Sequence, residues 1–456
     1  MSSRQFHALL HVHWGALLVA MGVGVGTAGK CPAADVLFYS VVKGEYYMQT
    51  NNGPPSLRPF RPYFFRACVL AVSNNSLTMA TLNPPSSGPK WLFPSPVVGP
   101  YFGRLLHQQE RLASKNTLDS SYRDGTYTFN LTTSHDGMKN PTLSLPGDQY
   151  PNIPRLTNWL DAQHINPQAD FDLFWEPMSS GTTNDFIEVV IRNCTSVVYR
   201  TGIWLGESNA LNGKAMGVRI PANTLQPGRL YLGKLLFQKT VSTTTNYAFG
   251  NGGYVRQTDF YLATIGAEAL TPPDVTRFFP PDNAANVPVN VAVAVEFDRP
   301  MGSGFDVYMI GTTNSVKHWF SPDYRTCYVV SSNPWPAGQT VTFCFNSVDG
   351  VLCFGDVNGN VMWPDRVVRL NFGSSVLPTN AVRPVFVSSS LINNQTIRFT
   401  MIGEAYRGYS LQLSTNLIDW ENFTTIYSTT NPISILQPMD RWTGRNFYRV
   451  VTRPVQ

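Results

Sequence analysis

Pro280-Pro-Asp-Asn-Ala-Ala-Asn-Val-Pro-Val-Asn-Val-Ala-Val-Ala-Val-Glu-Phe-Asp-Arg-Pro-Met301 begins as a polar turn and continues as strict alternation. Val289, Val291, Val293, Val295 and Phe297 fall on one side, and Asn290, Ala292, Ala294, Glu296 and Asp298 on the other. A period of two is the pattern of a strand with one face in a core and one toward water. Pro300 stops it, because proline cannot donate to a sheet ladder. The same alternation recurs in Thr126–Thr132, with Tyr127, Phe129 and Leu131 on one face, and in Asp170–Glu176, where Phe171, Leu173 and Trp175 oppose Asp170, Asp172 and Glu176. These runs predict an all-β chain of sandwich modules.

At 456 residues the chain is long enough for several cores. Charged residues make up 14%, against about 25% in typical soluble domains. Neutral Asn, Ser and Thr must therefore cover much of the surface, a composition that suits an exported β protein. The 35 Gly and 34 Pro are spread along the chain and read as turns. The net charge of +5 has no basic cluster behind it, so no nucleic-acid partner is expected.

Residues 1–34 read as a signal peptide and the start of the mature chain. Arg4 precedes the apolar run Ala16–Val25, and Gly26-Thr27-Ala28 fits cleavage between small residues. The run is too short and too Gly-rich to cross a bilayer, which takes about 20 apolar residues. No membrane span is expected after its removal, and the chain should be secreted, periplasmic or at the cell surface.

Beyond it the pattern divides into candidate modules over 35–148, 149–268, 272–374 and 380–454, of which the first two either stand apart or share one core. In the first, 36–42 is a strand, Tyr63–Val72 and Ser76–Leu82 form a hairpin across Asn74-Asn75, and Phe102–Ser114 is helix-compatible. In the second, Gly250–Gly253 reads as a flexible turn before a strand at Asp259–Thr264.

Pro280–Met301, together with Trp319, the turn Asp323-Tyr-Arg-Thr326 and Asp356-Val-Asn-Gly-Asn360, resembles the bacterial Ig-like domains of S-layer and surface proteins. Tyr409-Ser-Leu-Gln-Leu-Ser-Thr-Asn-Leu-Ile-Asp-Trp420 and Asn446-Phe-Tyr-Arg449 resemble a small β module that ends many exported proteins of Gram-negative bacteria, and residues 150–265 look like a partner region of the same proteins. The resemblance implies tandem Ig-like or fibronectin-like sandwiches and brings no assigned chemistry.

The residues nominate no catalytic, cofactor-binding or metal-binding site. His107, His135, His164 and His318 lack metal spacing. Asp170, Asp172 and Glu176 could span the about 5–10 Å of a glycosidase carboxylate pair, but they read as a solvated outer face. Asp356-x-Asn358-x-Asn360 begins like a calcium loop yet lacks its closing Glu, and reads as a side-chain-capped turn. Thr342, Cys344 and Asn346 fall on the polar face of their strand. Cys344 is placed to pair with Cys353 or with Cys327, and Cys68 and Cys194 read as small core residues. The expected function is a non-catalytic surface protein for adhesion, assembly or spacing, with a protein or glycan partner. The alternative is a carbohydrate-binding or glycan-active protein working through residues 35–265, where aromatic faces could stack on sugars.

Overall fold

The computed structural model describes residues 34–95, 102–266, 271–302, 304–305, 307–345, 353–378, 383–393, 396–438 and 446–452. The expected signal segment and Cys31 lie outside the described residues. The all-β expectation holds: strands make up nearly all of the regular structure, and Lys115–Ser121 is the α-helix among the described residues.

Residues 34–266 are organised by one ten-stranded mixed sheet. At its centre Val36–Gln49 runs parallel to Phe249–Ala263, in register from Phe38↔Phe249 to Gln49↔Phe260. Leu230–Thr244 and Phe186–Arg192 extend it antiparallel on one side, and Tyr63–Ala71 and Leu105–Leu112 on the other. The segments on either side of residue 148 thus contribute strands to the same ladder.

Two separate layers cover one face. Leu77–Asn83, Gly125–Thr133 and Thr142–Leu145 form a facing sheet that encloses Tyr39, Val41, Phe65 and Val69 with Leu82, Phe129 and Leu131. Phe171–Phe174 and Gly217–Ile220 form a two-stranded ribbon over Ile187, Val189, Leu235 and Phe260. Each enclosed large apolar side chain contributes about 1.5–3 kcal/mol relative to exposure. Lys43 is buried within the first layer, where its Nζ lies 2.8 Å from Asp124 and 3.4 Å from Asp119. A buried ammonium is tolerable because these carboxylates replace its water.

Three sequence expectations are corrected. Tyr63–Ala71 and Leu77–Asn83 are not a hairpin: they lie in opposite sheets, and Asn74-Asn75 is the corner between them. Facing each other lets their two apolar faces bury one another. Leu105–Leu112 is a strand, not a helix, because the ladder of Tyr63–Ala71 accepts it and outweighs propensity. The helix starts just after, with Ser114 as N-cap accepting from the Thr117 N–H at 3.1 Å. Gly250–Gly253 is not a turn but part of the central strand Phe249–Ala263. A β-carbon at Gly250 would lie 2.5 Å from the Tyr39 ring, and one at Gly253 only 2.4 Å from the Lys239 carbonyl. Glycine there permits close approach.

Residues 275–372 form a sandwich of two four-stranded sheets. The alternating run behaves as its pattern predicts: Val289, Val291, Val293, Val295 and Phe297 are all buried, although the regular ladder covers only Val293–Phe297. Trp335 fills the centre, edge-on to Phe343 and stacked near Phe372, with its Nε1–H donating to the Val291 carbonyl at 3.0 Å. Two three-stranded sheets follow over 385–452, joined to this sandwich where the Tyr427 hydroxyl meets the Tyr328 hydroxyl at 2.7 Å.

The sandwich also docks on the large sheet. Cys353 is disulfide-bonded to Cys194, across 159 residues of sequence, and not to Cys344. A β-carbon at Gly355 would lie 2.7 Å from Cys194 Sγ, so the joint needs that glycine. Tyr261 packs on Trp363, and Arg58 bridges Asp259 and Asp365. This docking buries Cys344, which sits 3.7 Å from Asp365 and not on a polar outer face. Burial holds the free Cys327 thiol up at about 12 and raises Cys344 further, so both stay protonated.

Two stability measurements follow. Trp335→Ala should cost about 3–5 kcal/mol, as large core truncations do, read as a lowered denaturant midpoint. Replacing Cys194 and Cys353 together by Ala should cost about 2–4 kcal/mol. Reductant should lower the melting temperature of the unaltered chain and leave that double variant unmoved.

Candidate functional site

The second face of the large sheet is covered only in part. Its floor is a small apolar cluster of Val42, Tyr46, Phe64, Phe186, Leu236 and Val255. The 275–372 sandwich closes one end, at Arg58, Asp259 and Asp365. Between them the face opens into a cavity of about 720 Å³, within the range of small-molecule sites, about 300–1,000 Å³. Phe38 and Asn251 from the central strands, Arg66 and His107 from one flank, and Glu188 and Gln238 from the other line it.

Strand alternation places these polar groups. In Phe186–Arg192, Ile187, Val189 and Ile191 point into the covered core, which turns Glu188, Val190 and Arg192 toward the cavity. Glu188 is only 7% exposed. Its carboxylate meets Arg200 at 3.0 Å and Lys234 at 3.1 Å. Burial pushes the Glu188 carboxyl up, but Lys234, Arg200 and Arg66 together pull it back, and the net position is below the usual glutamate range. It is held as an anion at neutral pH. Cys68, beside Arg66 on this face, is held up at about 11 by burial and stays a thiol. Gln238 and Asn251 are each 4% exposed, and neither Gln238 Nε2 nor Asn251 Oδ1 has a hydrogen-bond partner.

The carboxylates singled out from sequence lie elsewhere. Asp172 is paired with Arg219 at 2.9 Å, Asp170 accepts from the Ala222 N–H, and Glu176 meets Arg155 at 2.9 Å. Asp356 turns its carboxylate on its own loop, accepting from the Asn358 and Asn360 N–H groups at 2.9 and 3.0 Å, while Asn360 Oδ1 accepts from the Leu230 N–H. That loop belongs to the joint between the sandwich and the large sheet. Of the histidines, His107 alone lines the cavity. His135 is bonded to Asp35 at 2.7 Å, and His318 stacks on Phe305. The cavity residues carried one sequence signal: Glu188 and Arg192 interrupt an otherwise apolar strand, which implies a second, enclosed face.

No family model matches the chain, and no curated protein matches it in sequence. Among solved structures, the FN1–FN3 domains of chicken CNTN1 match at 12% identity over 67% of this chain and 93% of that one, with a TM-score of 0.16. The N-terminal part of the bacterial S-layer protein SbsC matches at 12% identity over 41% of this chain and 45% of that one, at 0.19. Dimeric latent PorU from Porphyromonas gingivalis matches at 11% over 63% and 30%, at 0.21. Scores this low leave the fold to be argued from its own sheets.

Glu188→Gln should destabilise the chain by about 2 kcal/mol. That is below the about 3–5 kcal/mol for breaking a fully enclosed ion pair, because Lys234 and Arg200 keep 26% and 27% exposure. A carboxyl whose folded pKa is depressed adds stability above its unfolded value, near 4.3, and loses it as pH falls through the folded value. Unfolding midpoints taken from about pH 6 down to about pH 3 should therefore fall less steeply for Glu188→Gln than for the unaltered chain.

Proposed function

We propose that the chain is a non-catalytic protein of the cell exterior that holds a ligand on the open face of its largest sheet, with the units over 272–374 and 380–454 acting as mount and spacer. The observation that carries this reading is the cavity itself. There, part of one face of the large sheet is neither buried by a layer nor docked by the sandwich, and polar groups turned inward line it.

The Cys194–Cys353 disulfide supports an exterior location, since such bonds persist in oxidising compartments. The state of the cavity carboxylates supports binding over catalysis. A general acid needs a pKa raised toward working pH, whereas Glu188 is depressed. Asp259 accepts from Gln257 Nε2 at 2.7 Å and faces Arg58.

The test is co-sedimentation of the full chain with washed cell-envelope preparations, with released reducing ends and peptides measured alongside. Binding without cleavage is expected. Gln109→Trp, which fills the cavity from its rim, should reduce binding about tenfold or more, the effect of about 1.4 kcal/mol. Cleavage of envelope material, or binding indifferent to that substitution, would overturn the reading.

A further inference from the structure

Two charge clusters lie on the same face of the large sheet, and they are answered differently. At the docked end, Arg58 and Arg111 receive Asp365 from the neighbouring sandwich, in addition to Asp259. In the cavity, Lys234, Arg200 and Arg66 surround Glu188, and all three act on its carboxyl. Asp259 and Glu110 line the cavity as well, but six Arg and Lys residues line it against these three carboxylates, which leaves an excess of positive charge in a partly dry site, where Coulomb terms exceed their value in water.

The unpartnered amides add a second, independent demand. Gln238 Nε2 is a donor and Asn251 Oδ1 an acceptor, both more than nine-tenths buried and both lining the cavity. Leaving such a group unmet costs about 1–3 kcal/mol. A hydroxyl both donates and accepts, so a polyhydroxyl ligand answers the two together. Phe93, 58% exposed, stands at the cavity wall and offers an apolar ring face beside these polar groups.

We propose that the cavity takes an acidic saccharide. Its carboxylate or sulfate lies against Arg66, Arg200 and Lys234, its hydroxyls meet Gln238 and Asn251, and one ring packs on Phe93. This rests on the cavity being the working site of a binding protein.

The test is titration calorimetry of the full chain at about 0.15 M salt, where exposed charges more than about 8 Å apart are screened. The probes are tri-galacturonate, its full methyl ester, and a sulfated galactan trisaccharide. At least one anionic probe should bind, with the neutral ester at least about tenfold weaker. Which anionic probe binds separates carboxylate from sulfate recognition. Arg66→Gln should weaken the anionic probe by about tenfold and the ester hardly at all, as loss of a charge-assisted hydrogen bond does. Gln238→Ala and Asn251→Ala should weaken both. Phe93→Ala, at an exposed position that does not support the core, should weaken binding with an unchanged melting temperature, which keeps the test valid if a strand variant misfolds. Equal affinity for ester and acid, or insensitivity to Arg66→Gln and Phe93→Ala, would overturn the proposal. If no probe binds while Gln109→Trp still weakens envelope binding, the ligand class is wrong and the site stands. If both fail, the site is wrong too.

Discussion

The parallel pairing of Val36–Gln49 with Phe249–Ala263 is the constraint on which the rest of the first 266 residues depends. Parallel neighbours cannot be joined by a tight turn, and here the connection is everything between them. Both strands sit at the centre of the sheet, so both of their faces must be accommodated. One face receives two apolar layers. The other receives the Val42–Tyr46–Phe64 floor and, at one end, a docked sandwich. Gly250 and Gly253 follow from the same crowding, since Tyr39 and the Lys239 carbonyl leave no room for a side chain.

Docking of the sandwich combines unequal terms. Tyr261, Leu232, Val361 and Trp363 bury together, and apolar burial of that kind carries most of the favourable energy. The disulfide adds a constraint on the unfolded chain that grows with the enclosed loop. The Arg58, Asp259 and Asp365 cluster contributes less than its contacts suggest, because desolvating buried charges offsets much of their attraction. Its effect is on geometry: it fixes where the sandwich stops and therefore where the cavity begins.

How much of this was legible in the sequence depended on range. Val289 to Phe297 could be read because burial there follows a local period of two, and the buried side chains are those that the pattern names. Leu173 and Trp175 were legible for the same reason. The partner of Val36–Gln49, the corner at Asn74-Asn75 and the Cys194–Cys353 bond were not, since each is a choice among distant segments that alternate equally well. Gly250 to Gly253 misled because glycine marks both turns and close approach, and only distant neighbours, the Tyr39 ring and the Lys239 carbonyl, decide between them. The candidate site was hidden at a further remove. Glu188, Gln238 and Asn251 become significant only when it is known which of two alternating faces is left open.

That open face also runs against what folding alone would favour. Enclosed ion clusters can often be replaced by apolar groups of similar volume at no loss of stability. Val190 and Leu236 show that apolar residues fit the same strands on the same side. A face selected only for stability would extend that apolar floor across Glu188, Lys234 and Arg200 and would not keep two enclosed amides unmet. Departures from local consistency of this kind concentrate where a chain must meet something other than itself. Here an ion cluster and two unmet amides share one wall-bounded stretch of one sheet, whereas the enclosed Lys43 is answered by Asp124 and Asp119 and the pair of Asp172 with Arg219 lies out in water where it costs little.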